Sequence, residues 1–327
     1  MSGDEVLLTG ATGFIGGHVL DALFDAGYGV RALVRSPGRL GARPGLRRIE
    51  GDVTRAGELV AQIRGCRFLV HCAAAYSFAP RQRGRMMETN VSGTSGILEA
   101  ARLAGVERAV VTSSSATVGP ARAGRLASED DHADVHGRSA YHDSKILAER
   151  AALAARLPSV LILPTAPVGP GDWKPTPTGA ALLTFLRGRM LASVAGGINV
   201  VAVGDVARAH VAALERGEPR RRYLVAGENL SFDELWRRLG SASGRRAPSL
   251  RMPHSAAMAA GLADELRCRV LRDAQPVVPL EGVRMSRQRM FVSSRRAADE
   301  LGVGPSDVNS ALAGAVRWYR DHGYVAA

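Results

Sequence analysis

The stretch Val6-Leu7-Leu8-Thr9, followed at once by Gly10-Ala11-Thr12-Gly13-Phe14-Ile15-Gly16, constrains the fold more than any other part of the chain. The short apolar run is a strand, and from Gly17 to Ala26 the residues Val19, Leu20, Leu23 and Phe24 recur at helical spacing. A glycine-rich turn between strand and helix leaves backbone N–H groups free at the helix N-terminus, where the helix dipole also favours an anion. Such a unit opens a nucleotide-binding βαβ fold, with a pyrophosphate on the turn. The spacing is G-x-x-G-x-x-G rather than G-x-G-x-x-G. Because glycines also serve tight turns for steric reasons, it is the flanking strand and helix that supply the meaning.

The same alternation continues. Strands are expected at Val30–Val34, Ile49–Val53, Arg67–Cys72, Arg108–Thr112 and Val160–Leu163, with helices from about Gly57 to Ile63, Met86 to Ala104 and Asp143 to Leu157. This order predicts an α/β, Rossmann-type doubly wound parallel sheet. The Pro- and Gly-rich loop from Pro164 through Gly171 to Gly179 then marks a change of lobe. Beyond it, a helix over 180–190, a strand Ile198–Val203, a helix Asp205–Leu214 and a short strand Tyr223–Val225 are expected. Phe232–Leu239, Ala256–Leu271 and Ala311–Tyr319 read as helices of a smaller, mostly helical substrate lobe. A chain of 327 residues is long for one core. The expected division is 1–164 plus about 197–226 for nucleotide, and about 165–196 plus 227–327 for substrate.

The second strand runs into Arg35. In a dinucleotide fold, an acid about 20 residues past the glycines binds the ribose 2′-hydroxyl, whereas an arginine accommodates a 2′-phosphate. No acid occurs between Val30 and Gly45, so Arg35, with Arg31 and Arg39 nearby, points to NADP rather than NAD. The plainer alternative is that Arg35 merely closes the strand. Asp52, next to Val53, ends another strand where it can face the adenine. Ala73-Ala74-Ala75 lets backbone approach a ligand closely, and Ser113-Ser114-Ser115 stands at a strand's C-terminal end, where open α/β sheets place ligand contacts.

Tyr141 and Lys145 are four apart in a helical stretch and so share a face. An ammonium beside a phenol favours the phenolate, which equips the phenol to exchange a proton with a carbonyl or alcohol. Of the 43 Lys and Arg residues only Lys145 and Lys174 are lysines, and a compact point charge suits this task better than a guanidinium fork. The net charge of +12 raises nucleic acid as a partner, but the arginines are interleaved with 31 acids and aromatics make up only 5%, poor material for base stacking. Three cysteines, Cys66, Cys72 and Cys268, have no disulfide framework and no metal-ligand spacing, which fits a reducing cytoplasm and no metal. No signal peptide and no membrane-crossing apolar run is expected. The Ala256–Leu271 helix is amphipathic; it reads as a cover for the substrate cleft, with a membrane-surface or dimer helix as the alternative.

Taken together, Thr9 to Gly16, Gly51-Asp52-Val53, Thr89-Asn90-Val91, Tyr141 with Lys145, Asp205-Val206-Ala207-Arg208-Ala209-His210 and Trp318-Tyr319-Arg320-Asp321-His322-Gly323-Tyr324 resemble the extended short-chain dehydrogenase/reductase superfamily. Pro164 to Asp172, with Lys174-Pro175-Thr176-Pro177-Thr178-Gly179, is similar to its dihydroflavonol 4-reductase-like branch, above all to hopanoid-associated "sugar epimerase" proteins. The resemblance implies NADP(H) and reduction of a ketone or aldehyde. It implies a coenzyme held by Gly10, Thr12, Gly13, Phe14, Ile15, Gly16, Arg35, Asp52, Val53, Ala73, Ala74, Ala75, Tyr141, Lys145, Pro164 and Val168. Tyr141 becomes the proton donor and Lys145 its activator and ribose contact. Thr112-Ser113-Ser114 matches the reductase pattern and puts the serine role on Ser114; Ser113 to Val118 matches the galactose-epimerase pattern and puts it on Ser115. Tyr76, Phe78 and Trp173 suggest a mainly apolar substrate pocket, with Ser115 and Thr165 as further contacts and a small, secondary-metabolite-type substrate. A homodimer through a helical face is the family tendency. An NAD(P)-dependent sugar or sugar-nucleotide epimerase and a non-catalytic NADP sensor are the alternative functions.

Overall fold

The computed structural model describes residues 3–325 apart from 37, 39, 77–81, 120–124, 138, 272–279 and 287–288. Arg39 and Phe78 lie outside the described residues. Strands that are apolar on both faces need cover from both sides, and the chain supplies it by alternating strand and helix. In order come β1 (Glu5–Thr9), α1 (Phe14–Asp25), β2 (Gly29–Val34), β3 (Leu46–Glu50), α2 (Val60–Ile63), β4 (Phe68–His71), α3 (Arg83–Met87) and α4 (Gly93–Leu103). Then follow β5 (Arg108–Thr112), α5 (Ala140–Ala154), β6 (Ser159–Pro164), β7 (Ala166–Val168), α6 (Pro177–Leu186), β8 (Ala192–Val194), β9 (Gly197–Ala202) and α7 (Val203–Arg216). The last part comprises β10 (Arg222–Val225), β11 (Glu228–Ser231), α8 (Phe232–Ser243), β12 (Leu250–Met252), α9 (His254–Val270), α10 (Leu280–Ser286), β13 (Arg289–Met290), α11 (Arg295–Leu301) and α12 (Val308–Asp321).

Seven strands form one parallel sheet in the order β10-β6-β5-β4-β1-β2-β3. One face is closed by α1 and α7, through Val19, Leu20, Leu23, Val206 and Ala209; the other buries Ile97, Leu98 and Ala152. Strand order reverses between β1 and β4, and open α/β sheets bind ligands in the crevice at such a point. The glycine turn after β1 and the alanine run after β4 therefore emerge side by side.

Several expectations are corrected. Strand β3 ends at Glu50, and Asp52 caps a 3-10 stretch, Val53–Leu59, that runs into α2. The helix expected over Met86–Ala104 is three pieces, with a π-helical turn at Glu88–Ser92 between α3 and α4. The strand at Gly197–Ala202, assigned from sequence to the nucleotide part, instead pairs with β7, β11 and β13 in a second sheet. With β8 and β12 these are short strands within the otherwise helical second lobe.

That second lobe has its own core of Leu182, Leu186, Leu235, Leu239, Leu312 and Tyr319. The buried Asp172 ties it to the loop after β7: its carboxylate accepts from Thr176 N at 2.9 Å and from the Tyr319 hydroxyl at 3.0 Å. A Cβ on Gly179 would meet both Asp172 Oδ2 and the Tyr319 hydroxyl, which is why the first turn of α6 has glycine there. On α9, Ala257, Gly261 and Asp264 are buried while Leu262, Leu266 and Val270 are exposed.

Candidate active site

The nucleotide turn is built by steric exclusion. Gly10 has φ +77°, and a Cβ there would stand 2.6 Å from the Ala73 nitrogen, so glycine lets the ends of β1 and β4 come together. A Cβ on Gly16 would run into the Gly10 carbonyl, so the third glycine packs the helix onto its own turn. Gly13 is the N-cap of α1 and no side chain caps it, while Thr12 and Gly13 are exposed. An uncapped helix N-terminus beside exposed backbone fits a pyrophosphate. His18 on α1 hydrogen-bonds to the Pro170 carbonyl at 2.9 Å and so holds the loop after β7 against the same helix.

Arg35 is exposed just past β2. Burial pushes the Asp52 carboxyl up, but hydrogen bonds from Thr54 and the charges of Arg35 and Arg55 outweigh it and hold the group below its ordinary value. Arg35 and Asp52 are thus close enough for their charges to interact, and Val53, next to Asp52, is buried. Arg31 is committed elsewhere, to Glu5 and to the Arg64 carbonyl at 3.0 Å, because its place within β2 turns it to the strand's other end.

Ser139 caps α5, its hydroxyl accepting from His142 N at 3.1 Å, so the helix begins early enough to include both Tyr141 and Lys145. The Tyr141 hydroxyl donates to Ser114 Oγ at 3.1 Å. Ser114 caps the 3-10 turn Ser115–Thr117, accepting from Ala116 N, and Ser115 lies within that turn. Lys145 is buried and donates to the Thr112 carbonyl at 2.9 Å. Burial pushes its ammonium down to about 8, with Glu149 and the Cys72 thiol opposing the shift. Neighbouring imidazoles are kept neutral: burial pushes His71 down to about 3, with Lys145 adding to the effect, and His210 down to about 4. Since a carbonyl can only accept, His210 donates from Nδ1 to Val206 O, and its Nε2 takes the Thr112 hydroxyl at 2.7 Å.

Asn90, in the π turn, accepts from Ala75 N at 2.7 Å and donates to Ala75 O at 2.9 Å and to Ser144 Oγ at 3.0 Å. Sequence reasoning passed over this clamp; a polar residue in the middle of a helix was the available signal, and π turns recur at functional sites. It sets the chain so that the Tyr76 ring lies over Tyr141, centroids 4.0 Å apart. Tyr76 is 39% exposed, which places it at the opening of the site. A small cavity beside Lys145 is lined also by His71, Ala73, Ala74, Asn90 and Glu149.

Two expected substrate contacts have other work. The Thr165 hydroxyl lies 2.8 Å from Asn199 Oδ1, and Asn199 also receives Gly227 N and reaches Asn229, so Thr165 joins β7 to β9 and β11. Trp173 is 60% exposed and packs edge-on against Trp318 and His322 near the C-terminus, because Asp172 fastens its loop to α12. Pro164 and Val168 are buried on either side of Thr165, where the chain passes from the large sheet to the small one. Among the described residues no group of His, Cys, Asp and Glu is arranged to hold a metal, and no helix is long and apolar enough to cross a membrane.

Comparison with known proteins agrees with this architecture. Residues 6–226 match the NAD dependent epimerase/dehydratase family. A Synechocystis protein named for dihydroflavonol 4-reductase is 38% identical, over 98% of this chain and 96% of its own. Sterol demethylase protein B of Methylococcus capsulatus is 31% identical, over 98% and 99%. The crystal structure of a nucleoside-diphosphate-sugar epimerase from Pseudomonas aeruginosa superimposes with a TM-score of 0.81 at 26% identity, covering 99% of both chains. With its seven-stranded parallel sheet, its glycine turn and a family match across two thirds of its length, the chain belongs to the NAD dependent epimerase/dehydratase family of extended short-chain dehydrogenases/reductases, enzymes that work with a nicotinamide coenzyme.

Proposed function

We propose that the protein is an NADPH-dependent reductase of a ketone or aldehyde on a small, mainly apolar substrate. The observation that carries this reading is the 3.1 Å hydrogen bond between the Tyr141 hydroxyl and Ser114 Oγ, one helical turn from the buried Lys145. Residues 1–164 with 203–226 would hold the coenzyme, and the rest would shape the substrate cleft. Its pyrophosphate would rest on Gly10 to Gly16, its 2′-phosphate beside Arg35 and its adenine near Asp52 and Val53. Lys145 and the backbone from Pro164 to Val168 would hold the nicotinamide end. Bound there, NADPH supplies the hydride.

The remaining chemistry belongs to side chains of the chain itself. The two hydroxyls of Ser114 and Tyr141 converge, so a carbonyl oxygen placed between them accepts from both. Tyr141 then gives its proton to that oxygen as negative charge develops. The buried ammonium of Lys145 favours the phenolate left behind. The Tyr76 ring covers the phenol, excludes water and offers an apolar surface to the substrate. The name of the Synechocystis relative supports reduction, and that of the Methylococcus relative supports an apolar substrate.

The test is single-turnover oxidation of NADPH with a panel of aromatic and alicyclic carbonyls, wild type against Tyr141→Phe. A wild-type rate at least 10²-fold above the variant, on the order of a lost general acid, supports the proposal; equal rates end it. A second reading, sugar or sugar-nucleotide epimerisation, is favoured by the family description and the Pseudomonas structure. Here the same two hydroxyls would withdraw and return the proton of a sugar hydroxyl. An epimerase would purify with dinucleotide bound and show no net NADPH consumption.

A further inference from the structure

Glu149 lies one turn beyond Lys145 on α5 and is 5% exposed. Its Oε1 forms an ion pair with Arg222, 2.9 Å from Nε, although that N–H is not directed at it as a hydrogen bond. Oε2 accepts from the Ser113 hydroxyl at 2.5 Å and the Thr117 hydroxyl at 2.7 Å. Arg222, at the start of β10 and equally buried, donates in turn to the Thr117 carbonyl at 3.1 Å and to the Glu129 carbonyl. Ser113 and Thr117 bracket Ser114. With Lys145 on Thr112 O and Tyr141 on Ser114, α5 therefore grips the segment 112–117 at four of its six residues.

A buried ion pair is a poor source of stability, since desolvating both charges offsets most of their attraction. What it does supply is direction: the carboxylate accepts from fixed points, and the planar guanidinium spans them. The charged and titratable groups that interact with Lys145 are His71 and Cys72 from β4 and its end and Glu149 from α5, with Tyr141 one turn earlier on α5 and Arg222 from β10 paired to Glu149. His71 is held neutral and burial pushes the Cys72 thiol up to about 12. Among these groups Glu149 is the carboxylate near the ammonium, and it opposes the effect of burial on Lys145.

We propose that Glu149 and Arg222 are positioning residues for the carbonyl-reduction site: together they clamp Ser113 and Thr117 so that the Ser114 hydroxyl meets Tyr141, and the carboxylate, one helical turn from Lys145 and lining the same small cavity, is its countercharge. The proposal rests on the reductase reading for its purpose, but its first test needs no substrate. Because the chain has two lysines, ¹³C-lysine labelling yields two side-chain signals, assigned with Lys174→Arg. Glu149→Gln, which keeps the shape and removes the charge, is expected to lower the Lys145 midpoint by a pH unit or more. An unchanged midpoint, or one raised toward that of an exposed lysine, overturns the electrostatic half.

For the clamp, Arg222→Lys keeps the charge and loses the fork to Thr117. It is expected to lower NADPH turnover at least tenfold, with coenzyme affinity by fluorescence and the Lys145 midpoint both near wild type. Unaltered turnover overturns the clamp, and so does a loss explained entirely by weaker coenzyme binding. Should Glu149→Gln not fold, Glu149→Asp decides instead: the shorter acid should preserve the Lys145 midpoint and lose turnover, and the reverse pattern overturns the proposal. A wild type that reduces no carbonyl would sink the reductase reading and leave the lysine titration standing.

Discussion

The hydroxyls of Tyr141 and Ser114 lie 3.1 Å apart although the residues are 27 positions apart in the chain. One comes from the first turn of α5, the other from the cap of a 3-10 turn after β5. Ser115 begins that turn and Ser113 is turned inward to Glu149.

This relationship makes the serines separable. Ser114→Ala is expected to lower the single-turnover rate about 10²-fold, in the range of a lost oxyanion donor, while Ser115→Ala stays within a few-fold of wild type. Stopped-flow NADPH fluorescence on both variants checks it, and the opposite ranking would move the role to Ser115.

Arg35 is the exposed basic residue beside Asp52 at the end of β2. Arg35→Glu should weaken NADPH about 10²-fold relative to NADH, the scale of a charge-assisted hydrogen bond replaced by repulsion. Competitive titration of the two coenzymes measures the ratio; an unchanged preference would remove the NADP assignment.

The buried His210 predicts an acid limb of stability. Burial pushes its imidazole down to about 4, against an ordinary 6.5, so between these values the unfolded chain binds a proton that the folded chain refuses. Stability is therefore lost as pH falls from about 6.5 toward 4, by about 3 kcal/mol from this residue. Urea denaturation between pH 7 and 4.5 should show a shallower decline for His210→Gln than for wild type, the remaining slope including His71.

Gly179→Ala places a methyl group against Asp172 and the Tyr319 hydroxyl. Destabilisation of about 1–3 kcal/mol is expected, as for other overpacked sites. The same change should weaken coenzyme binding, because Asp172 fastens the loop that His18 holds against α1. Thermal melts and coenzyme titration of the variant test both effects; a variant that melts and binds like wild type would show the fastening to be dispensable.

Much of the fold is local and therefore legible. Strands such as Val6–Thr9 and Arg108–Thr112, the turn at Gly10–Gly16 and the shared face of Tyr141 and Lys145 follow from periodicity and glycine placement within a few residues. The short strands β7, β8, β11, β12 and β13 have two to four residues each and hold no period to read. They exist because partners arrive from far along the chain, as Asn199 does for Thr165. The π turn at Asn90 was likewise hidden, since the groups Asn90 bonds there, Ala75 and Ser144, come from other segments of the chain. Composition and spacing determined by themselves that a strand–turn–helix nucleotide unit and a Tyr–Lys helix coexist in one chain. Tertiary structure alone decided which serine meets the tyrosine, which arginine is drawn away to Glu5, and that Trp173 packs on the C-terminal helix. Those choices are made by hydrogen bonds and ring contacts between distant segments, whose free energy depends on burial and direction, and neither quantity is written in the local pattern.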